Sequence, residues 1–293
     1  MGPDSEHGFS EAAEIDLRVE VAPGPDGAVE VERVALPGSE ISAAVIQLAR
    51  SESWNQMDSR MVEALATALV GCDRDRDVGT ILITGTRRVF SAGVDVRAQL
   101  RLGRDPVALP RFVDRLQTVF GSIRSASKPV VALVNGITTA GGLELLLACD
   151  FAVAGSSAEI GDEYLDHGLI SGGGVLSLLP RAIGPARARE LVFSGRMLSA
   201  AEALEWRLVN QVVPDDDLLA AGLAFATVVA EKSSEAIAAA KYVMNAGWAD
   251  GTGLDSALRL ERDRSALYRL TLPDAQEGLT ALVEKRRPRY PGR

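Results

Sequence analysis

One acidic side chain draws attention because it interrupts a long apolar stretch. Glu144 is the only charged residue between Pro129 and Cys149. A buried carboxylate without a partner costs several kcal/mol or binds a proton, so a helix that keeps one invites a chemical explanation. The structural alternative is an acid in the first turn of a helix, which the helix dipole favours by about 0.3 to 1 kcal/mol. The neighbouring segments decide between the two.

Two glycine-containing turns could supply hydrogen-bond donors to the same site. The turn Phe90-Ser-Ala-Gly-Val-Asp95 follows a buried strand, and Asp95 is a good N-cap for a helix that begins at Val96. The N–H of Val94 would then be free, as would the N–H of Gly141 at the start of the helix that carries Glu144. Two such donors would stabilise an oxygen that gains negative charge, and removing one costs about 3 to 4 kcal/mol in the transition state.

The elements around these turns alternate between strands and helices. Val130–Val134 is a short apolar run that predicts a strand covered on both faces. Strand, helix and strand at the observed spacing predict βαβ units with right-handed crossovers. The predicted strands are 15–21 and 29–35 as a hairpin, then 41–48, 80–84, 130–134, 151–154 and 209–213, and the predicted helices of this part are 59–71, 111–124 and 143–149.

The last third of the chain is predicted to be helical. A loop ends at Gly172-Gly-Gly174, and helices follow at 185–193, 199–206, 218–232, 234–246, 255–270 and 274–285. Ser199 and Glu202 have the spacing of a capping box. The helix 255–270 is amphipathic, and its expected buried positions are Leu254, Ala257, Leu258, Leu267 and Tyr268.

Composition excludes several functional classes. The 293 residues are 47% hydrophobic and 24% charged, as in ordinary globular proteins. A net charge of −9 argues against nucleic acid or an anionic membrane as the partner. The acidic N-terminus does not have the pattern of a signal peptide. Two cysteines, Cys72 and Cys149, favour a reducing cytoplasm and exclude a disulfide framework or a zinc site, and no metal site is expected.

Taken together, the motifs resemble one family. They are Ser53-Trp-Asn-Gln-Met57, Phe90-Ser-Ala-Gly-Val-Asp95, Lys128-Pro-Val-Val-Ala-Leu-Val-Asn-Gly136, Ala140-Gly-Gly-Leu-Glu-Leu145 with Cys149-Asp150, and later Phe193-Ser-Gly-Arg-Met-Leu-Ser-Ala-Ala-Glu-Ala203, Leu208-Val-Asn-Gln-Val-Val-Pro214 and the segment 277–293. This set is similar to the enoyl-CoA hydratase/isomerase (crotonase) superfamily, and only residues 1 to about 28 fall outside the resemblance.

The resemblance implies both an architecture and a site. The fold would be an α/β crotonase-like spiral of ββα and βαβ turns, with an N-terminal extension 1–28, a catalytic core 29–215 and a C-terminal helical trimerisation region 216–293. The chain would form a homotrimer or a hexamer and act on an acyl-CoA thioester without another cofactor. The carbonyl would lie between the N–H groups of Val94 and Gly141, beside the catalytic Glu144. The CoA-binding residues would be Asn55, Ala92, Asp95 and Lys285.

One catalytic position departs from the family. The second acid of the hydratases aligns with Tyr164, and Glu163 precedes it. Neighbouring side chains of an extended segment point to opposite faces, so only one of these two can face the substrate. Asp162 and Asp166 are further candidates. A phenol with a pKa near 10 is a poor base at neutral pH but a usable donor.

The departure leaves several activities open. Hydration of a 2-enoyl-CoA to a 3-hydroxyacyl-CoA, a lyase reaction, is the leading expectation. Double-bond isomerisation needs Glu144 alone, and a tyrosine donor would suit hydrolysis or decarboxylation of an acyl-CoA. A catalytically inert protein that binds CoA or assembles with a partner is the alternative from another class.

Overall fold

Two β-sheets organise the protein. The computed structural model describes residues 19–23, 28–102, 105–249 and 253–290, so most of the predicted N-terminal extension 1–28 lies outside them. Within these residues the large sheet has the strand order β1-β2-β3-β4-β6-β8-β11 and the small sheet has the order β10-β9-β7-β5. The strands are β1 (Val19–Pro23), β2 (Val29–Ala35), β3 (Ser42–Leu48), β4 (Val78–Thr84), β5 (Val89–Ser91), β6 (Val130–Val134), β7 (Ile137–Thr139), β8 (Phe151–Gly155), β9 (Glu159–Gly161), β10 (Met197–Ser199) and β11 (Gln211–Val213).

Helices cover both faces of the large sheet. They are α1 (Ser59–Arg74), α2 (Val96–Leu102), α3 (Ala108–Ser125), α4 (Gly141–Ala148), α5 (Val175–Ile183), α6 (Pro185–Ser194), α7 (Ala200–Glu205), α8 (Leu218–Ala230), α9 (Ser234–Ala249), α10 (Leu254–Thr271) and α11 (Pro273–Glu284). Every residue of β6 is buried. Val131 and Leu133 of β6 share a core with Leu223 of α8, whereas Val130 and Ala132 belong to the larger core that contains α1 and α3. The apolar run therefore indicated the buried strand correctly.

The small sheet gives the chain its spiral path. Strands β4, β6 and β8 lie side by side and parallel in the large sheet. Each is followed directly by a strand of the small sheet, namely β5, β7 and β9, which are also parallel neighbours. A helix then returns the chain to the large sheet. The α/β spiral that the resemblance implied is confirmed, and the repeating unit is ββα.

Several local predictions are also confirmed. Strands β1 and β2 pair antiparallel as a hairpin, although the first part of the predicted strand 15–21 lies outside the described residues. Ser199 and Glu202 form the capping box of α7. Asp95 accepts a hydrogen bond from the N–H of Ala98, at 2.9 Å, and so caps α2.

Two predictions about helices were wrong. The prediction omitted α5, which begins directly after Gly174, where a glycine φ of 134° starts the helix. No residue of α10 is buried in the chain, and Leu254 and Leu258 are 73% and 52% exposed. The apolar stripe of α10 exists, but within the chain this helix packs mainly on α9 and α11. An amphipathic pattern predicts an interface without saying which chain provides the other side.

The division at residue 216 stays a prediction. In the structure α8 packs on β4, β6 and β8, so the first of the C-terminal helices belongs to the packing of the large sheet. No helix in the described ranges has the length and apolarity needed to cross a bilayer.

A buried lysine joins α9 to the core. Lys241 is 9% exposed, and its Nζ donates to the carbonyl oxygens of Ile123 and Lys128 and to Oδ2 of Asp150, at 3.0, 2.9 and 2.7 Å. The same Asp150 oxygen accepts from the N–H of Val130 at 2.7 Å. Asp150 follows α4, so this ion pair connects the end of α4, the start of β6 and α9.

Replacing this lysine tests the connection. Lys241→Met removes the cation that pairs with Asp150 and a donor to two carbonyl oxygens, while Asp150 keeps its bond from the N–H of Val130. Removing one partner of a largely buried ion pair costs about 3 kcal/mol of unfolding free energy. Urea denaturation measures the loss. Lys232→Met, at an exposed lysine after α8, is the matched control and should stay within about 0.5 kcal/mol of the wild type. Equal midpoints for the two variants would contradict the role of Lys241.

Candidate active site

Three strand ends of the small sheet meet at one edge. The register pairs Ser91 with Thr138, and Thr139 with Gly161. Because β5, β7 and β9 are parallel, the segments that follow them leave the sheet on the same side. Those segments contain Val94, Gly141 with Glu144, and residues 162–164. The spiral therefore brings together most of the residues to which the sequence assigned chemistry.

Glycines allow two backbones to touch at this edge. Gly93 has a φ of 87°, and a Cβ added there would lie 2.8 Å from the nitrogen of Gly141. A Cβ on Gly141 would in turn lie 3.1 Å from the Cα of Gly93. Side chains at these positions would separate the two turns or strain them, since positive φ disfavours residues with a Cβ. Glycine is therefore required for the close approach.

The N–H groups of Val94 and Gly141 are directed away from other backbone acceptors. Met57 forms a parallel bridge with Val94: it donates to the carbonyl of Gly93 and accepts from the N–H of Asp95, at 2.7 and 3.0 Å. This pairing turns the N–H of Val94 to the opposite side. The N–H of Gly141 is at the first position of α4, where helical N–H groups have no intrahelical acceptor. Neither donor has an acceptor within the described part of the chain.

Glu144 is fully buried, and one of its oxygens is held. Its Oε1 accepts from the hydroxyl of Ser171 at 2.6 Å and from the N–H of Gly173 at 2.8 Å. Its Oε2 is buried without a hydrogen-bond partner among the described residues. Burial raises the pKa of Glu144, and the bonds from Ser171 and Gly173 offset part of that rise. The carboxyl group thus has one anchored oxygen and one available oxygen.

The buried side chain of Tyr164 faces Glu144, whereas the side chain of Glu163 is more exposed. The side chain of Tyr164 is 8% exposed, whereas Glu163 is only half-buried. Burial, followed by the charges of Glu144 and Asp162, raises the pKa of Tyr164, so the phenol stays protonated. Its hydroxyl lies near the Glu144 carboxylate and favours the charged form. Of the two neighbours that the alternation rule separated, the structure turns Tyr164 inwards.

Asp162 is the least expected member of the site. It follows β9 and is 1% exposed, and neither carboxylate oxygen has a hydrogen bond of normal geometry in the described residues. The N–H of Tyr164 is close enough to lower the pKa of Asp162 slightly. Burial first, and the charge of Glu144 second, raise the pKa of Asp162 to about 6. Asp166, by contrast, lies on an exposed turn. A second carboxyl group is therefore present near Glu144, two residues before the aligned position.

Comparison with known proteins agrees with this geometry. The sequence model of the family described as Enoyl-CoA hydratase/isomerase matches residues 38–293. The chain belongs to the enoyl-CoA hydratase/isomerase family.

Similar proteins cover most of the chain. A probable enoyl-CoA hydratase of Mycobacterium tuberculosis is 33% identical over 246 residues, which are 84% of this chain and 93% of the relative. A crotonyl-CoA hydratase of Syntrophomonas wolfei is 32% identical over 252 residues, covering 86% and 95%. The crystal structure of an enoyl-CoA hydratase from Bacillus anthracis superposes with a TM-score of 0.82 at 31% identity, covering 91% of this chain and all of that chain.

Two of the four predicted CoA-binding residues of this family member, Asn55 and Asp95, form side-chain hydrogen bonds with backbone groups of the chain. Asn55 is fully buried, and its Nδ2 donates to the carbonyl oxygens of Val89 and Phe90, at 2.9 and 3.2 Å. Its side chain is therefore engaged, and a contact with CoA would fall to the backbone of that loop. Asp95 is occupied as a helix cap. Burial alone would raise the pKa of Asp95, but the N–H of Ala98 and the guanidinium of Arg50 lower it.

The other two predicted CoA-binding residues differ in position. Ala92 lies in the turn after β5 and is partly exposed, and its N–H donates to the carbonyl of Trp54 at 3.0 Å. Lys285 is exposed at the C-terminal end of α11, with a φ of 55°. Because α11 packs mainly on α9 and α10, no described contact joins Lys285 to the edge that carries Glu144. A role in CoA binding stays a prediction for all four residues.

Two contributors to the site were missed from the sequence. Ser171 donates to Glu144 and accepts from the N–H of Val175 at 3.1 Å, so it connects the carboxylate to the start of α5. Gly173 packs against the Glu144 carboxylate, where a Cβ would overlap Oε2. The run Gly172-Gly-Gly174 is a signal from which a close backbone approach could have been predicted, but its target could not be identified from local sequence. No cluster of acids, histidines and cysteines that could hold a metal occurs among the described residues.

The hydrogen bond from Ser171 to Glu144 leads to a direct prediction about the pKa of Glu144. Ser171→Ala removes a donor that stabilises the charged carboxylate, a bond typically worth about 1.5 to 3 kcal/mol. The pKa of Glu144 should therefore rise further above its ordinary value. Carbon-13 NMR of the glutamate carboxyl groups across a pH titration measures it, with Glu144→Gln to assign the signal. Ser177→Ala, at an exposed serine of α5, is the control, and an unchanged titration in Ser171→Ala would refute the contact.

Proposed function

We propose that this protein processes acyl-CoA thioesters through an enolate, and most specifically that it hydrates a 2-enoyl-CoA to a 3-hydroxyacyl-CoA. The observation that carries the proposal is the convergence of three features at one sheet edge: the N–H of Val94, the N–H of Gly141 and the free Oε2 of Glu144. CoA enters as part of the substrate, and no other cofactor belongs to the proposal.

The two N–H groups would act on the thioester oxygen. When a nucleophile adds to the β-carbon of an enoyl thioester, the electron pair of the double bond moves to the carbonyl and leaves negative charge on its oxygen. Donors fixed in the backbone stabilise that charge without reorganising during the reaction. The close approach of Gly93 and Gly141 keeps the Val94 and Gly141 donors near each other.

Glu144 would move the protons. In hydration its carboxylate accepts a proton from water while the hydroxyl group bonds to the β-carbon, and a proton is then delivered to the α-carbon. Its raised pKa makes it a stronger base than an ordinary glutamate. Tyr164 keeps its proton and would orient the attacking water by hydrogen bonding.

Isomerisation of a 3-enoyl-CoA to a 2-enoyl-CoA is the second candidate. The observation in its favour is the absence of a glutamate at position 164, where Tyr164 is a protonated phenol. Glu144 alone could take a proton from the α-carbon and return one to the γ-carbon through a dienolate. The same two N–H donors would stabilise that dienolate.

Assembly and location belong to the proposal as well. Leu258, Leu270, Leu282 and Val283 of α10 and α11 are 52 to 84% exposed in the single chain. Apolar area of this kind usually marks a protein interface, which supports the trimer or hexamer implied by the resemblance. A cytoplasmic location fits the bacterial relatives.

Removing the proposed base tests the reaction. Glu144→Gln keeps the shape of the side chain but cannot accept a proton, so kcat should fall by about 10² to 10⁴. The assays follow the ultraviolet absorbance of the conjugated thioester, which disappears when crotonyl-CoA is hydrated and appears when a 3-enoyl-CoA is isomerised.

A matched substitution separates the base from general charge effects. Glu159→Gln removes an exposed glutamate at the start of β9 and should leave both rates within about twofold, as surface substitutions usually have small effects. A wild-type protein that binds CoA and converts neither substrate would contradict both candidate reactions. Full activity in Glu144→Gln would contradict the assigned base.

The donor pair can be tested through glycine. Gly93→Ala forces a methyl group against the nitrogen of Gly141 and should reduce kcat by about 10² to 10³, as does the loss of an oxyanion donor. Steady-state kinetics measure this loss.

Gly38→Ala is the control for backbone strain. Gly38 also has a positive φ, at 68°, but a Cβ there would meet nothing within 4 Å. It should lose about 1 to 2 kcal/mol of stability and keep its kcat. Equal losses of kcat in the two alanine variants would show that strain, and not the donor pair, is responsible.

A further inference from the structure

In the described part of the chain, three buried carboxylate oxygens of the site have no hydrogen bond of normal geometry. They are Oε2 of Glu144 and both carboxylate oxygens of Asp162. The two side chains are 0% and 1% exposed. Buried polar atoms are nearly always hydrogen-bonded, so a pair of acids in this state points to a function and not to packing alone.

No cation faces this pair within the described residues. The ionisable groups around Asp162 are Glu144 on α4, together with Glu163, Tyr164 and Asp166 on its own segment. The nearest basic side chain of the neighbouring strand segment, Arg196, is already engaged: it pairs with Glu190 and Glu202 and lies over the ring of Trp206. Two buried carboxylates without a cation repel each other when both are ionised.

We infer that Asp162 supplies the second carboxyl group of the site, in place of position 164, and that Asp162 and Glu144 together carry a single negative charge at mildly acidic pH. The inference rests on the proposed acyl-CoA chemistry for its catalytic part. Its electrostatic part rests on the burial and the unpaired oxygens alone.

Chain geometry accounts for the change of position. Asp162 and Tyr164 are two residues apart after β9, and both side chains are buried, whereas Glu163 between them is half-buried. Strand β9 ends at Gly161, and Tyr164 has helical backbone angles at the start of the turn that follows. The chain therefore buries an acid two residues before the aligned position together with the tyrosine that stands there.

A pair that holds one proton can complete hydration without an external acid. The ionised carboxylate accepts a proton from water, and the hydroxyl group bonds to the β-carbon. The protonated carboxyl group gives its proton to the α-carbon as the enolate electron pair forms the C–H bond. The pair ends with one proton, as it began, so one water molecule has been added and nothing else has changed.

Isomerisation makes a different demand on the same pair. One base removes the α-proton and returns it at the γ-carbon, so a second carboxyl group is not needed. Asp162 would then influence the rate only through the basicity of Glu144. The two reactions therefore separate the role of Asp162 from that of Glu144.

Asp162→Asn, assayed in the full-length protein with crotonyl-CoA and a 3-enoyl-CoA, tests the catalytic part. Hydration should fall by about 100-fold or more, and isomerisation by less than about tenfold. Asp166→Asn makes the same chemical change at an exposed position of the same segment and should change either rate by less than about threefold. Hydration that survives in Asp162→Asn overturns the inference, as does a wild type that isomerises but does not hydrate.

The pH dependence of stability tests the shared charge independently of turnover. Burial raises the pKa of Asp162 above that of an unfolded aspartate, so the folded protein binds this proton more tightly and the ionised form destabilises the fold. Asp162→Asn should be more stable than the wild type at pH 8, and its advantage should shrink as the pH falls through about 6 towards 5.

The two measurements distinguish the possible failures. If the wild type converts neither substrate, the proposed function fails, and the stability comparison alone decides whether the acids share a charge. If Asp162→Asn is not more stable than the wild type, or if the difference in stability is constant between pH 5 and pH 8, the two acids do not share a charge. This conclusion holds even where both activities are present.

Discussion

The described part of the chain buries a carboxylate without placing a cation against it. Neutral groups stabilise the charge of Glu144: a serine hydroxyl and a backbone N–H bind one oxygen, and the Tyr164 hydroxyl lies nearby. A neighbouring arginine or lysine would hold the charge more firmly, but it would also lower the pKa and weaken the base. A neutral donor must lie at hydrogen-bond distance and point at the carboxylate, whereas a cation acts over a longer distance. The surrounding segments must therefore be positioned accurately.

The ββα repeat provides that accuracy. Each turn of the spiral adds one strand to the small sheet, and the three parallel strands β5, β7 and β9 are short. Their following segments leave at the same edge, so residues about 20 to 50 positions apart in sequence become neighbours. The glycine loop after Ser171 completes the arrangement from a fourth segment, which Gln117 of α3 fixes through a 2.6 Å bond to the carbonyl of Gly172.

The features that could be predicted from sequence are those that depend on a local pattern of residues. The buried strand β6, the capping box at Ser199 and the cap at Asp95 each depend on residues within a few positions, and all were predicted correctly. Glu144 was visible because a charge in an apolar run is unusual. Alternation alone could not decide whether Tyr164 or Glu163 points into the site, since the phase of the alternation depends on where β9 ends.

Contacts between distant segments explain the errors. The bond from Ser171 to Glu144 spans 27 positions, and nothing near Ser171 in sequence indicates its partner. Asp162 could be named only as one acid among several, because its burial results from the packing of α4 against the segment after β9. The exposed stripe of α10 was assigned to the interior because periodicity reports that a face is apolar, not where the covering surface comes from.

The position of Asp150 has a mechanical consequence for this family member. One carboxylate oxygen, just after the helix that carries Glu144, accepts from both β6 and Lys241 of α9. Helix α9, on which α10 packs, is thereby tied to the C-terminal end of the helix that carries Glu144. A displacement of α9 would therefore be transmitted through Asp150 to α4.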